Sequence, residues 1–290
     1  MSAPRVSVVV PTHNRRDLLI ETLASVRDQT LADWELLVVD DDSSDGTAEY
    51  LDGLVDPRLR RFRPDRHGER SAARNLGLAN AHADFIMFLD DDDLLRPNAL
   101  RLLVSELDAD PDLVAAVGSR RFREINQDST FHFQTSKAAT VHHAWRDLLF
   151  NWTPNSGQNL YRADVVRAVG GYDTRCLPCE DRAMWLRIAH VGPVRVIPKV
   201  VLEYRVHSGQ SKPLDVDRIR ETVFRDFIAT LSPDEGEEAL RLRRAVAIGQ
   251  DDFSSWFQTI VTAPYLLGSP ISRRPLWWQL RDMLLRIGRR

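Results

Sequence analysis

The sequence has 290 residues, is 43% hydrophobic and 28% charged, and carries a formal net charge of −3. This is globular composition with enough chain for one large domain or two small ones, and it gives no electrostatic reason to expect a nucleic-acid partner. No stretch approaches the ~20 consecutive apolar residues of a membrane span, and Met1 to Arg5 lead into a strand-like run without the pattern of a secretory signal, so a cytoplasmic protein is expected.

Val6 to Val10 is a β-branched run closed by Pro11, which reads as a buried strand. After the loop Pro11-Thr12-His13-Asn14, Asp17 to Gln29 shows helical spacing. Glu35 to Val39 reads as a second strand, ending in the acidic loop Asp40-Asp41-Asp42. Thr47 to Leu54 is a short helix, Leu59 to Phe62 a weak strand, and Ser71 to Ala81 a helix entered through Arg70. Phe85 to Leu89 is a fourth strand that runs into Asp90-Asp91-Asp92-Asp93. Pro97 to Leu107 is the next helix, with Asp93 expected to cap it, and Leu113 to Val117 is a fifth strand. This alternation predicts an α/β fold with a mostly parallel sheet flanked by helices.

Residues 1–118 therefore form a nucleotide-binding half. Neither a dinucleotide fingerprint nor a phosphate-binding P-loop occurs in it. Residues 119–212 form a second half. Phe122, Phe131 and Phe133 hint at extra strands there, and Gln158 to Tyr161 is a strand, Ala163 to Val169 a helix, and Glu180 to Val191 a helix. Val194 to Ile197 and Val200 to Val206 read as two further strands. Residues 213–290 read as a helical C-terminal extension.

The chemistry gathers in loops that follow strands. In a parallel sheet these loops share one edge, so Asp40 to Asp42, Arg70 to Asn75 and Asp90 to Asp93 are expected around one crevice. Four adjacent carboxylates repel each other unless a cation neutralises them, and hard oxygen ligands suit a divalent metal. Arginines in the same crevice suit a diphosphate. Asp41, Ser43, Asp45, Gly46 and Asp52 approximate a calcium loop, but a strand rather than a helix precedes it and Asp fills its last place.

On the helix from Glu180, Met184, Trp185, Ile188 and Val191 define an apolar face at ~100° per residue. Asp181 falls near the centre of that face and Glu180 at its flank, nearer Arg187. An inward carboxylate at a helix start is either a cap or a working base. His207 follows the last strand, flanked by Arg205 and Lys212. Cys176 and Cys179 supply half a zinc site at most, without the surroundings of a redox motif, although their oxidation would perturb the loop before Glu180. Asn151-Trp152-Thr153 matches a glycosylation acceptor that has no use without secretion.

Six motifs now stand in a fixed order: Val-Ser-Val-Val-Val-Pro-Thr-His-Asn (6–14), Val-Val-Asp-Asp-Asp-Ser-Ser-Asp-Gly-Thr (38–47), Ala-Arg-Asn (73–75), Phe-Leu-Asp-Asp-Asp-Asp (88–93), Gly-Gly-Tyr-Asp (170–173) and Glu-Asp (180–181). Over about residues 4–212 the chain resembles the family 2 glycosyltransferases of the GT-A fold. The resemblance implies a nucleotide-diphosphate sugar donor, Mn²⁺ or Mg²⁺ as cofactor, and inversion at the anomeric carbon. Pro11 and His13 would border the base, with Thr12 and Asn14 beside them, and Asp40 would accept its N–H. Asp91 would lie by the ribose, and Asp42, Arg70, Arg74 and Asn75 would complete the donor site. Asp92 is the expected metal ligand with Asp90 in support, His207 would add a metal or phosphate contact, and Asp181 matches the family's catalytic base. Asp42 stands where Gly or Asn is common in the family, and the run of four acids departs from its simpler Asp-x-Asp pattern.

By position, Trp152, Asn155, Gln158, Glu180 and Trp185 are expected on the acceptor side. The acceptor would be a carbohydrate or a lipid-linked sugar in cell-surface polysaccharide or glycolipid synthesis. Alternatives are a sugar nucleotidyltransferase, which would usually carry a Gly-rich basic loop after its first strand, and a non-catalytic nucleotide- or sugar-binding relative. A phospho-receiver domain would need paired acids after its first strand and a lysine after its fifth, which Gly118-Ser119-Arg120 does not offer. Residues 273–290 set Leu276, Trp277, Leu280, Met283, Leu284 and Ile287 on one helical face against six arginines and one acid. Such a helix suits either the inner face of an anionic membrane or packing on the catalytic domain or a second copy.

Overall fold

A computed structural model of the protein describes residues 3–64, 68–124, 130–133, 138–149, 153–209 and 216–251. The strands are β1 (Val6–Thr12), β2 (Trp34–Asp40), β3 (Leu59–Phe62), β4 (Phe85–Phe88), β5 (Leu94–Leu95), β6 (Ala115–Glu124), β7 (Thr130–Phe133), β8 (Ala139–Val141), β9 (Asn159–Arg162) and β10 (Val194–Val206). The helices are α1 (Arg16–Arg27), α2 (Thr47–Asp52), α3 (Glu69–Asn80), α4 (Ala99–Ala109), α5 (Trp145–Leu148), α6 (Ala163–Ala168), α7 (Glu180–Val191), α8 (Val216–Ile228) and α9 (Pro233–Asp251).

One sheet runs in the order β3-β2-β1-β4-β9-β6-β10-β5, with β7 paired to β6 and β8 to β10. The pairs β3–β2, β2–β1, β1–β4 and β6–β10 are parallel, and β9 lies antiparallel between β4 and β6. Burial explains the β-branched runs. β1 and β2 are covered on both faces, so their central residues, Val8 to Val10 and Leu36 to Val39, are apolar without alternation. Successive side chains still divide between two cores. Val8, Val10, Leu36, Val38 and Met87 pack with α1 and α4, whereas Val9, Leu37, Ile86 and Phe88 face α3 and α7.

The α/β architecture, a central sheet flanked by helices, is as expected, but the sheet is mixed, because β5, β7, β8 and β9 pair antiparallel with their neighbours, and the other differences have local causes. β10 is one strand through Pro198 rather than two. Its register against β6 shifts between Val196 and Val200 and again between Val200 and Leu202, the kind of irregularity at which a sheet tolerates a residue with no N–H. The fifth expected strand extends to Glu124, and the two-residue β5, which the sequence did not suggest, pairs with Leu202 and Glu203. Asp93 does not cap α4. Asn98 holds the cap position, and Asp93 Oδ1 instead accepts the backbone N–H of Arg205 at 2.9 Å. Beyond residue 212, Phe227 of α8 packs against Trp145 and His190, so the first helix of that region shares the core of α5 and α7. No helix among the described residues is long and apolar enough to cross a membrane. The basic segment 273–290 lies outside the described residues.

Candidate active site

Parallel pairing decides where the chemistry collects. Thr12 at the end of β1 is in register with Asp40 at the end of β2, and Val9 is in register with Phe88 at the end of β4. The loops that follow therefore open on one edge. They surround a crevice of about 340 Å³ bordered by Pro11, Thr12, His13 and Arg15 from the first loop, Asp41 from the second and Asp90, Asp91 and Asp92 from the fourth. Glu69, Arg70 and Ala73 from α3 and Tyr204 from β10 complete the lining.

The first two loops brace each other. His13 Nδ1 donates to the carbonyl of Asp41 at 2.6 Å, which leaves Nε2 to accept from Asn14 Nδ2 at 2.9 Å. Asn14, in the left-handed region at φ 53°, receives Ser44 N on Oδ1 and gives its own N–H to Ser43 Oγ. Asp40 is buried. Its Oδ1 accepts from Ser43 N, and its Oδ2 has no hydrogen-bond partner among the described residues. Asp42, expected in the donor site, instead points outward, 62% exposed beside Arg63. Asp41 takes the crevice position and holds Gly68 N.

The acidic loop is engaged on every side. Asp91 Oδ2 accepts from Thr12 Oγ1 at 2.8 Å, and Arg15 Nη1 stands 3.1 Å from Asp91 and 2.8 Å from Asp92. Burial pushes Asp91 up to about 6, with Arg15 opposing the rise and Asp92 adding to it. Burial likewise holds Asp93 well above the ordinary carboxylate range, helped by Asp92 and Asp90. Asp90, Asp92 and Asp93 each offer a carboxylate oxygen within 4.8 Å of the others, and Asp93 Oδ2 is buried with no hydrogen-bond partner among the described residues. Hard oxygens at this spacing fit a divalent cation such as Mn²⁺ or Mg²⁺. His207 is not one of the trio. Its Nδ1 accepts from Gly209 N, and its Nε2 lies 3.1 Å from Asp92 Oδ2, so the ring stands directly beside the trio.

Arg70 and Arg74 part company. Arg70 borders the crevice and pairs with Glu180. Arg74 is 2% exposed and lies behind the crevice wall, donating to Asp90 at 2.6 Å and to Glu180 at 3.2 Å. Asn75 does not reach the crevice. Its side chain receives Tyr172 N and donates to Tyr172 O, clamping the Gly170-Gly171-Tyr172-Asp173 turn against α3. The turn needs its glycines. Gly171 has φ 64°, and a Cβ there would meet Asn75 Oδ1 at 2.6 Å.

At the start of α7 the expected order is reversed. Glu180 is the enclosed residue, at 1% exposure, and Asp181 keeps 35% of its side chain open. The helical-face argument missed this because two arginines from α3 draw Glu180 inward, while Arg187 turns instead to the carbonyls of Val169 and Gly171. Protein closely surrounds Asp181 all the same. Burial pushes it up to about 6, against the pull of Arg74 and with the repulsion of Glu180 and Asp90.

The expected acceptor residues divide as well. Trp185 is 1% exposed and packs on Tyr161 in the core. Gln158 is consumed internally, donating to Gly118 O and accepting from Arg120 and Asn155 N. Asn155 is half-buried, and Trp152 lies outside the described residues. Arg15, Glu69 and Tyr204 border the crevice and were not singled out, and Asp41 was expected there only as part of its acidic loop. Arg15 immediately follows the Thr12-His13-Asn14 loop, which is the one sequence signal that pointed to it.

A family model described as glycosyl transferase family 2 matches residues 7–164. The uncharacterized protein y4gI of Sinorhizobium fredii is 34% identical over 218 residues, which is 72% of this chain and 23% of that protein. The UDP-Glc:alpha-D-GlcNAc-diphosphoundecaprenol beta-1,3-glucosyltransferase WfgD of Escherichia coli is 38% identical over 100 residues, 34% of this chain and 40% of WfgD. The chain thus spans less than half the length of these relatives. Among solved structures, S. aureus TarS 1–349 in complex with UDP-GlcNAc superposes with a TM-score of 0.67 at 19% identity, covering 94% of this chain and 78% of that one. That likeness is one of fold, and the fold is GT-A. By the family model that spans more than half of its length, the chain belongs to glycosyl transferase family 2.

Proposed function

We propose that the protein transfers a sugar from a nucleotide-diphosphate donor to an acceptor hydroxyl with inversion at the anomeric carbon. The observation that carries this reading is the crevice in which the acidic loop after β4 meets Arg70 of α3, with Arg74 behind its wall reaching both Asp90 and the carboxylate of Asp181. Thr12, His13 and Asp41 border the end of the crevice where a base would lie. Asp40 Oδ2, a buried acceptor without a partner among the described residues, is suited to a base N–H.

In the transfer, Asp181 takes the acceptor hydroxyl proton as that oxygen attacks C1 from the face opposite the leaving diphosphate. Asp92 and Asp90 would hold a divalent cation, which neutralises charge on the departing diphosphate. Arg70 adds a second positive charge at the rim, and Arg74 keeps Asp90 and Asp181 oriented from behind. WfgD is named for a diphosphoundecaprenol acceptor and TarS was solved with UDP-GlcNAc. By extension, the acceptor here is a carbohydrate or lipid-linked sugar of cell-surface polysaccharide or glycolipid synthesis, and the enzyme works in the cytoplasm at the inner face of the membrane.

The test is a thermal-shift and transfer screen of nucleoside diphosphates and their sugars with Mn²⁺. One nucleotide is expected to raise Tm, and its sugar conjugate to yield a product of opposite anomeric configuration by NMR. Failure of every nucleoside diphosphate to bind would overturn the reading.

A further inference from the structure

Four adjacent carboxylates need support from below as well as a cation above. The backbone of the acidic loop shows where that support comes from. Thr22, on the buried face of α1, places Oγ1 2.8 Å from the carbonyl of Asp91 and 2.9 Å from that of Asp93. Arg205, in β10 and 2% exposed, donates from Nε to the carbonyl between them, that of Asp92. Its Nη2 reaches Thr22 Oγ1 at 3.1 Å and Leu18 O at 3.0 Å, its Nη1 stands 3.0 Å from Glu21, and its backbone N–H holds Asp93 Oδ1. Three consecutive carbonyls of the loop thus turn toward one floor, and the carboxylates of Asp91 and Asp92 turn toward the crevice. A fixed guanidinium lies beneath the run and opposes the mutual repulsion of its charges.

We infer that Arg205 and Thr22 are positioning residues that set the carboxylate geometry of the acidic loop and so its affinity for a divalent cation. The inference rests on the reading of Asp92 and Asp90 as the cation site. Neither residue borders the crevice, so both act through the loop backbone. The planar fork is central. A lysine keeps the charge but cannot serve the Asp92 carbonyl, Thr22 and the Leu18 carbonyl together.

Two variants of the full chain test it. Arg205→Lys keeps the charge and loses the fork, and Thr22→Val keeps the shape and loses the hydroxyl. Mn²⁺ affinity is measured by calorimetry and electron paramagnetic resonance without donor, alongside Tm and circular dichroism. Disturbing residues that orient metal ligands weakens binding by roughly 10–100-fold, and that loss is expected for Arg205→Lys, with a smaller loss in the same direction for Thr22→Val. A purely structural role would lower Tm and leave the Mn²⁺ affinity of the folded protein unchanged. Unchanged affinity in either folded variant, with the wild type binding Mn²⁺, overturns the inference alone. If Arg205→Lys does not fold, Thr22→Val decides. A wild-type protein that binds no Mn²⁺ overturns both the inference and the metal reading beneath it.

Discussion

Arg74 Nη1 stands 3.5 Å from Asp181 Oδ1, and its other terminal nitrogen holds Asp90 at 2.6 Å. One enclosed cation therefore joins a carboxylate of the acidic loop to the carboxylate proposed as the base. Removing it withdraws the largest influence that favours ionised Asp181. The acid limb of the pH–kcat/KM profile is expected to move to higher pH in Arg74→Met. A limb that stays in place would mean that Arg74 does not govern the base.

The wild-type profile has its own expected position. Burial places Asp181 at about 6, above the ordinary 3.8. The base works only when ionised, so transfer should fall as pH drops through about 6, approaching tenfold per unit below it. The effect on stability has the opposite sense. The folded state keeps this proton to higher pH than the unfolded chain, so the group's contribution to stability is complete below 3.8 and is lost as pH rises through about 6. An activity limb near 4 would contradict the assignment.

Asp92 lies beside Arg15, His207 and the other acids of the trio. Asp92→Ala should abolish metal-dependent donor binding, and a chelator should do the same to the wild type. Calorimetry with the nucleoside diphosphate, with and without Mn²⁺, provides the check. An unchanged metal-dependent affinity would remove Asp92 from the site.

The helix that carries Arg70 and Arg74 is held close to β1 by Gly77. A Cβ there would meet Val9 Cγ1 at 2.3 Å and Cγ2 at 2.9 Å. Overpacking of this kind costs about 1–3 kcal/mol, so Gly77→Ala should lower the urea midpoint accordingly. It should also weaken donor binding by moving both arginines. A midpoint equal to the wild type's would show that the helix can retreat freely.

The first four strands and their loops were legible in the sequence because their signals are local. Apolar runs mark β1, β2 and β4, and the acids follow them directly, so parallel pairing alone brings Thr12, Asp41 and Asp91 together. The bounds of α7 were legible for the same reason, with an acidic first turn and Gly192 at its end. The burial order of Glu180 and Asp181 was not, because arginines 106 and 110 residues away decide it. The buried contacts of Arg205 and Gln158 stayed hidden for the same cause. Their partners lie on other elements, and nothing in the neighbouring sequence distinguishes a buried guanidinium or amide from an exposed one.

The central claim is that Asp181 is the general base of sugar transfer, and Asp181→Asn tests it most directly. Single-turnover transfer from the donor that the screen identifies should fall by ~10²–10⁴-fold, while the donor Kd measured by calorimetry stays at the wild-type value. Near-normal turnover in the folded variant would contradict the account.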